Sequence, residues 1–263
     1  NPLLVPNSKI ASLLKSSKRI KSFSATNDVK NLTEEKSFID IEAFPSVFDV
    51  ILPDLIDLYY NDEIVIMFAQ SLYCPIQSVK KDLLKTGYLN SIYADVIKYH
   101  ISHNNYSAAL VSELTRLEYI EDSNEYEKKI SSNTKINALN DIIKQYEGKT
   151  PYIVKAVEKK HNIMCECIDN IINGYEHKNL DKSIIETYPK IIVEETDKYK
   201  KLYPEYPGIE TLEKNVEWLK AYNVIQLSGT ESNIAKGKDV KIKISYANID
   251  TLYDEIYRID ASP

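Results

Sequence analysis

From position 46 onward, apolar residues recur at three- and four-residue steps, the spacing that lays one stripe along a 3.6-residue helix. The pattern predicts a helix over 46–59, interrupted at Pro53. A second is predicted over 62–72, where Ile64, Ile66, Met67, Phe68 and Leu72 form a broad apolar face and Cys74-Pro75 ends the run. Residues 76–103 carry the helical set Leu83, Leu84, Leu89, Ile92, Tyr93, Val96 and Ile97, with a break near Gly87. Between Tyr106 and Gly148 there is neither Gly nor Pro. Leu110, Leu114, Leu117, Ile120, Ile130, Ile136, Leu139, Ile142 and Ile143 therefore fit one long helix or two. Two are favoured, turning at 122–125 or at 131–134. Gly148 reads as the stop, and Thr150-Pro151 as the cap and first turn of a helix that ends at Asn173, before Gly174.

Residues 180–202 continue helical with a kink or break at Pro189, and the Pro- and Tyr-bearing connector 203–208 marks a domain border. Beyond it, 209–222 reads as helix, 224–227 as extended and 228–239 as a loop. Residues 240–246 alternate strictly, with Val240, Ile242, Ile244 and Tyr246 on the inward face and Lys241 and Lys243 outward. A last helix covers 248–258. This order resembles the end of a winged-helix module in outline, and equally suits a β-hairpin capping a helical domain. The expected fold is mainly α: a multi-helix bundle or irregular helical array with a small C-terminal α+β unit, β-hairpin or winged-helix-like. Its parts are a basic amphipathic N-terminal arm (1–30), a helical domain (31–203) and the small unit (208–263). No repeat of fixed period is visible.

Only 6 Gly and 10 Pro occur in 263 residues, too few glycines for turn-rich all-β or phosphate-loop folds, which strengthens the helical reading. Mean hydropathy is −0.34 and 27% of residues are charged, so no run of about 20 apolar residues is present to cross a bilayer. The chain reads as a soluble globular protein. Its net charge of −6 is unevenly spread: six basic residues against one acidic put +5 on 1–30, which leaves −11 on the rest. The first 27 residues hold no Asp or Glu, but carry Lys9, Lys15, Lys18, Arg19 and Lys21, with Ile10, Leu13, Leu14 and Ile20 at helical spacing. Such an arm can be a solvated tail or a targeting remnant. It can also lie against its own acidic body, or contact an acidic partner or membrane surface. Arg19, Arg116 and Arg258 are the only arginines among 33 basic residues, which leaves little for bidentate phosphate or guanine recognition. Nucleic acid is not the expected partner.

The odd number of cysteines, Cys74, Cys165 and Cys167, argues against a disulfide framework. It suits an intracellular compartment, cytoplasmic or organellar such as mitochondrial, where the sequons at Asn31 and Asn105 stay unmodified. His161 and Cys165, four apart on one helical face, are the nearest approach to a metal site. Further ligands would have to come from His100, His103 or His177, and the paired Cys-x2-Cys spacing of structural zinc sites is missing, so Cys165 reads first as a buried small hydrophobe. Gly237-Lys238 lacks the spacing and the following Ser or Thr of a phosphate loop. No nucleophile–base pair is legible either, and no cofactor is expected.

Tyrosine is the unusual residue, at 20 against 5 Phe and 1 Trp. A ring with a polar tip suits half-buried positions and interfaces. Tyr199, Tyr203, Tyr206, Trp218 and Tyr222 cluster around the connector, either packing the two parts together or docking another chain. With Lys15, Lys18, Arg19 and Lys21 of the arm, they are the candidate interaction residues. The function these features fit is a non-catalytic helical scaffold or adaptor subunit, held to other protein subunits by protein–protein contacts. The alternatives are an all-helical enzyme with a site assembled from dispersed carboxylates or His and Cys residues, and a helical effector.

Overall fold

The computed structural model describes residues 42–57, 63–86, 88–123, 130–173, 183–221, 224–229 and 242–247. The described residues are mainly helical. In chain order the helices are α1 (Val47–Asp57), α2 (Glu63–Leu72), α3 (Lys81–Thr86), α4 (Tyr88–Ser102), α5 (Tyr106–Ser123), α6 (Ser132–Tyr146), α7 (Ile153–Asn173), α8 (Ile184–Leu202) and α9 (Gly208–Ala221). A single 3-10 turn, Ile76–Ser78, lies between α2 and α3.

Most helices pack on their neighbours in sequence: α3 on α4, α4 on α5, α6 on α7, α7 on α8 and α8 on α9. Two longer-range contacts fold this row into a body. In one, α2 packs on α5; in the other, α9 returns to α7. Packed against α6, α8 and α9, α7 buries more than a single stripe, including Ile153, Val154, Val157, Ile163, Met164, Ile168 and Ile172. One apolar core runs through the body, from Leu72, Val96, Ile97, Leu110 and Leu117 to Leu139, Ile142, Ile192 and Leu212. Each such aliphatic side chain contributes about 2 kcal/mol relative to exposure.

The helix ends are set by identifiable residues. Ser131 caps α6, its Oγ accepting the Thr134 N–H at 3.2 Å. At the other end Gly148 has φ +72, the left-handed conformation that needs no Cβ. Thr150 accepts the Tyr152 N–H at 3.2 Å ahead of α7, and its hydroxyl also bonds Ser107 Oγ at 2.8 Å, which joins the starts of α5 and α7. The chain thus makes two helices from 106 to 146, and the segment 131–134 opens the second helix. Residues 124–129 lie outside those described.

The interruption expected at Pro53 does not occur, and of the kink or break expected at Pro189 the break does not occur. The helix α8 runs through Pro189 as one element, and α1 runs through Pro53. A proline in a helix removes one backbone bond, and packing of the flanking turns, such as Ile184, Ile192 and Thr196 of α8, outweighs that loss.

Strands β1 (Val224–Gly229) and β2 (Ile242–Ala247) form a two-stranded antiparallel ladder in which Val224 faces Ala247 and Leu227 faces Ile244. The small α+β unit expected over 208–263 is not supported as such. Its loop and last helix, and the inward and outward faces expected over 240–246, lie outside the described residues and side chains. The one helix of that unit that is described, α9, places Ile209 and Leu212 in the helical core.

Candidate functional site

Two helices that are not sequence neighbours, α5 and α7, leave an open groove of about 440 Å³ between them. Val111, Leu114, Thr115 and Glu118 line one wall, and Lys155, Glu158, Lys159 and Asn162 the other. Each set follows the same spacing, i, i+3, i+4, i+7, so each wall is one face over two turns, about 10 Å of helix. The α5 wall supplies the apolar floor; the α7 wall is charged and polar. Adjoining the groove is a narrow crevice lined by Ala43, Phe44, Asp49, Leu52, Tyr93 and Ser112, with Val111 and Thr115 common to both.

The charges in the groove are unequally answered. Lys159 lies 3.4 Å from Glu118 Oε1 and 3.5 Å from Glu121 Oε1. Lys155 sits with its ammonium 5.5 Å from the Tyr152 ring centre. Asn162 accepts from Asn215 Nδ2 of α9 at 3.0 Å. Glu158 has no such partner: among the described residues no hydrogen bond or ion pair reaches its half-buried carboxyl. Burial raises that carboxyl above the usual value, and the charge of Lys155 one turn earlier offsets this only in part.

Three buried polar clusters lie elsewhere. In the first, Ser46 Oγ donates to Asp49 Oδ2 at 2.7 Å and the Ser46 N–H to the same oxygen at 2.9 Å, while His100 Nε2 bonds Asp49 Oδ1 at 2.9 Å. Asp49 stands between serine and histidine, so the imidazole cannot take the hydroxyl proton. The trio caps α1 and anchors it to α4. In the second, Arg116 donates to the Leu72 carbonyl at 2.9 Å and to that of Cys74, and pairs with Glu113 at 3.3 Å. Glu113 in turn accepts the Ile76 N–H. This cluster ties the end of α2 and the 3-10 turn to α5.

The third cluster joins α6, α7 and α8. Lys160 Nζ bonds Glu195 Oε1 at 2.6 Å and Asn140 Oδ1 at 3.0 Å, and His161 Nε2 bonds Glu195 Oε2 at 3.0 Å. His161 is fully buried and no partner meets its Nδ1. The neutral imidazole with its proton on Nε2 therefore fits the site. One turn on, burial pushes the Cys165 thiol up to about 11, so it is not held as the reactive thiolate.

His161 and Cys165, the nearest approach to a metal site in the sequence, have no third companion: among the described residues no three His, Cys, Asp or Glu side chains are placed to hold an ion. His100 is engaged with Asp49, His103 is exposed against the Tyr99 carbonyl at 2.8 Å, and His177 lies outside the described residues. Of the tyrosine cluster, Tyr199 is buried in the core and stacks on half-buried Tyr203 with ring centres 6.5 Å apart. Tyr206 packs on Tyr152 at 5.6 Å, and Trp218 is half-buried against the core. Tyr222, Lys15, Lys18, Arg19 and Lys21 lie outside the described residues. The groove residues were not picked out from the sequence, although the matching spacing of 111–118 and 155–162 was there to find. Comparison with known proteins finds no family model, no curated protein and no solved structure that matches this chain.

Proposed function

We propose that this chain is a non-catalytic helical subunit or adaptor that acts through protein contacts, with the α5–α7 groove as its docking surface for a basic amphipathic helix. One observation carries the reading: an apolar floor at Val111 and Leu114 runs beside Glu158, a half-buried carboxyl that no hydrogen bond or ion pair reaches among the described residues and that the charge of Lys155 offsets only in part. Two helical faces with the same spacing form the walls of a trough, the arrangement used in helix-in-groove recognition. An apolar stripe would cover the floor, and a lysine on its flank would answer Glu158. The three free thiols support an intracellular setting for such a subunit.

The test is titration of the full chain with a labelled synthetic amphipathic helix bearing flanking lysines, against the same peptide with glutamates there. Methyl NMR of Val111 and Leu114 reports the location. We expect the basic peptide to bind at least about tenfold tighter, with both methyl signals shifting. Equal affinities, or shifts confined to other surfaces, would refute the proposal.

A further inference from the structure

We propose that the crevice beside the groove is a lysine pocket, which grips the docked helix by taking the ammonium of one of its lysine side chains against Asp49. This rests on the reading of the α5–α7 groove as a docking surface for a basic helix, and it assigns where that helix is anchored.

Asp49 is a buried acid without a counter-charge. It is 6% exposed and accepts hydrogen bonds from the Ser46 N–H, the Ser46 hydroxyl and His100 Nε2. His100 is buried as well, and no partner meets its Nδ1, so the neutral ring with its proton on Nε2 fits. Every donor on the carboxylate is then neutral, and among the described residues no lysine or arginine pairs with it. A buried charge in that condition is costly, and a cation brought by a partner offsets the cost.

The crevice suits one such group. Its volume of about 20 Å³ admits a single group the size of a water molecule, which matches a primary ammonium and falls short of a planar guanidinium. Ser112 and Thr115 line it beside Asp49. Each commits its hydroxyl proton to the backbone carbonyl four residues earlier, at 2.9 and 3.0 Å, so each turns only lone pairs to a ligand. An ammonium brings three N–H donors to these acceptors, while Phe44 and Leu52 give its methylene stem an apolar wall.

Val111 and Thr115 line both groove and crevice, so a helix seated on the Val111–Leu114 floor carries a flanking lysine to the opening. None of the residues lining the crevice comes from α7. The lining of the groove itself is balanced, Lys155 and Lys159 against Glu118 and Glu158, and the crevice adds the net negative charge that a basic helix meets.

The experiment uses the full chain and the synthetic amphipathic helix with flanking lysines, each lysine replaced in turn by arginine and by Nε-acetyl-lysine. We expect both replacements at one position to weaken binding at least about tenfold, with the Val111 and Leu114 methyl signals still shifting. The side chain of that lysine should show nuclear Overhauser contacts to the Thr115 methyl group. Asp49→Asn should abolish the discrimination between lysine and arginine, and Ser112→Ala, which leaves the cap of α1 untouched, should reduce it about threefold. The peptide replacements are read on the native chain, so they decide even where Asp49→Asn unsettles α1.

Equal affinity for the lysine and arginine peptides at every position overturns the inference, as does full discrimination retained in Asp49→Asn; with Val111 and Leu114 shifting, either result leaves the groove as a docking surface. Failure of the lysine peptide to bind the native chain removes both.

Discussion

Arg116 is 1% exposed and Glu113 is fully buried, so neither is solvated, and each is tolerated through the other and through backbone groups of 72–76. Burial raises the Glu113 carboxyl, while the guanidinium and the Ile76 N–H act against the rise. Arg116→Leu should therefore cost about 3–5 kcal/mol in urea unfolding, since it strands a buried acid. Adding Glu113→Gln should recover part of that loss, because the neutral amide still accepts the Ile76 N–H. A double variant as unstable as the sum of its parts would show the pair to be uncoupled. The His161–Glu195 pair gives a pH prediction. Burial holds the imidazole below its usual 6.5, outweighing the pull of Glu195. Burial tends to raise the Glu195 carboxyl, but the His161 hydrogen bond and the Lys160 charge hold it below its usual 4.5. Both groups bind protons less tightly folded than unfolded, so their stabilisation is complete above those values and lost as pH falls through the folded-state ones. Stability should decline as pH falls through and below the usual imidazole value of 6.5 because of His161, and His161→Asn should flatten that decline. An unchanged slope in the variant would assign the pH response to other groups.

At the scale of elements, the two ends of α6 are separable contributions. Ser131→Ala should cost about 1 kcal/mol by removing the acceptor of the Thr134 N–H. Gly148→Ala should cost about 1 kcal/mol although nothing lies within 4 Å of the added methyl, since the penalty comes from φ +72 and not from crowding. Additive losses in chemical unfolding would confirm that the caps act independently. These ends were legible in the sequence because Gly, Thr-Pro and Ser act through the local chain alone. Whether the helix would break at Pro53 or Pro189 was not legible, because that outcome depends on packing from other elements. The site was harder still: Glu158 and Lys159 read as the solvated face of an amphipathic helix, and only the tertiary placement of α5 opposite α7 makes them a wall. Glu113 and Arg116 would likewise pass for a surface pair at i, i+3, since nothing local says that both face the turn at Ile76. The Ser46-x-x-Asp49 capping box was readable, but its partner His100, some fifty residues away, was not.

For the whole molecule, the core among the described residues runs from Ala43 and Phe48 through to Leu212. Removing residues 1–25 should lower Tm by no more than about 4 °C, followed by circular dichroism. A drop of the size caused by losing core packing would instead make the arm part of the fold. The row of helices packed on their sequence neighbours also bears on how the chain is made. Because α4 meets α5, α6 meets α7 and α8 meets α9, much of the apolar surface finds its cover within a few tens of residues. Each pair can then close soon after its second helix leaves the ribosome, and α9 completes the α7 surface last. A nascent chain stalled before 208 would expose the patch that Ile209 and Leu212 cover, and chaperone engagement should peak at that length and fall once α9 has emerged.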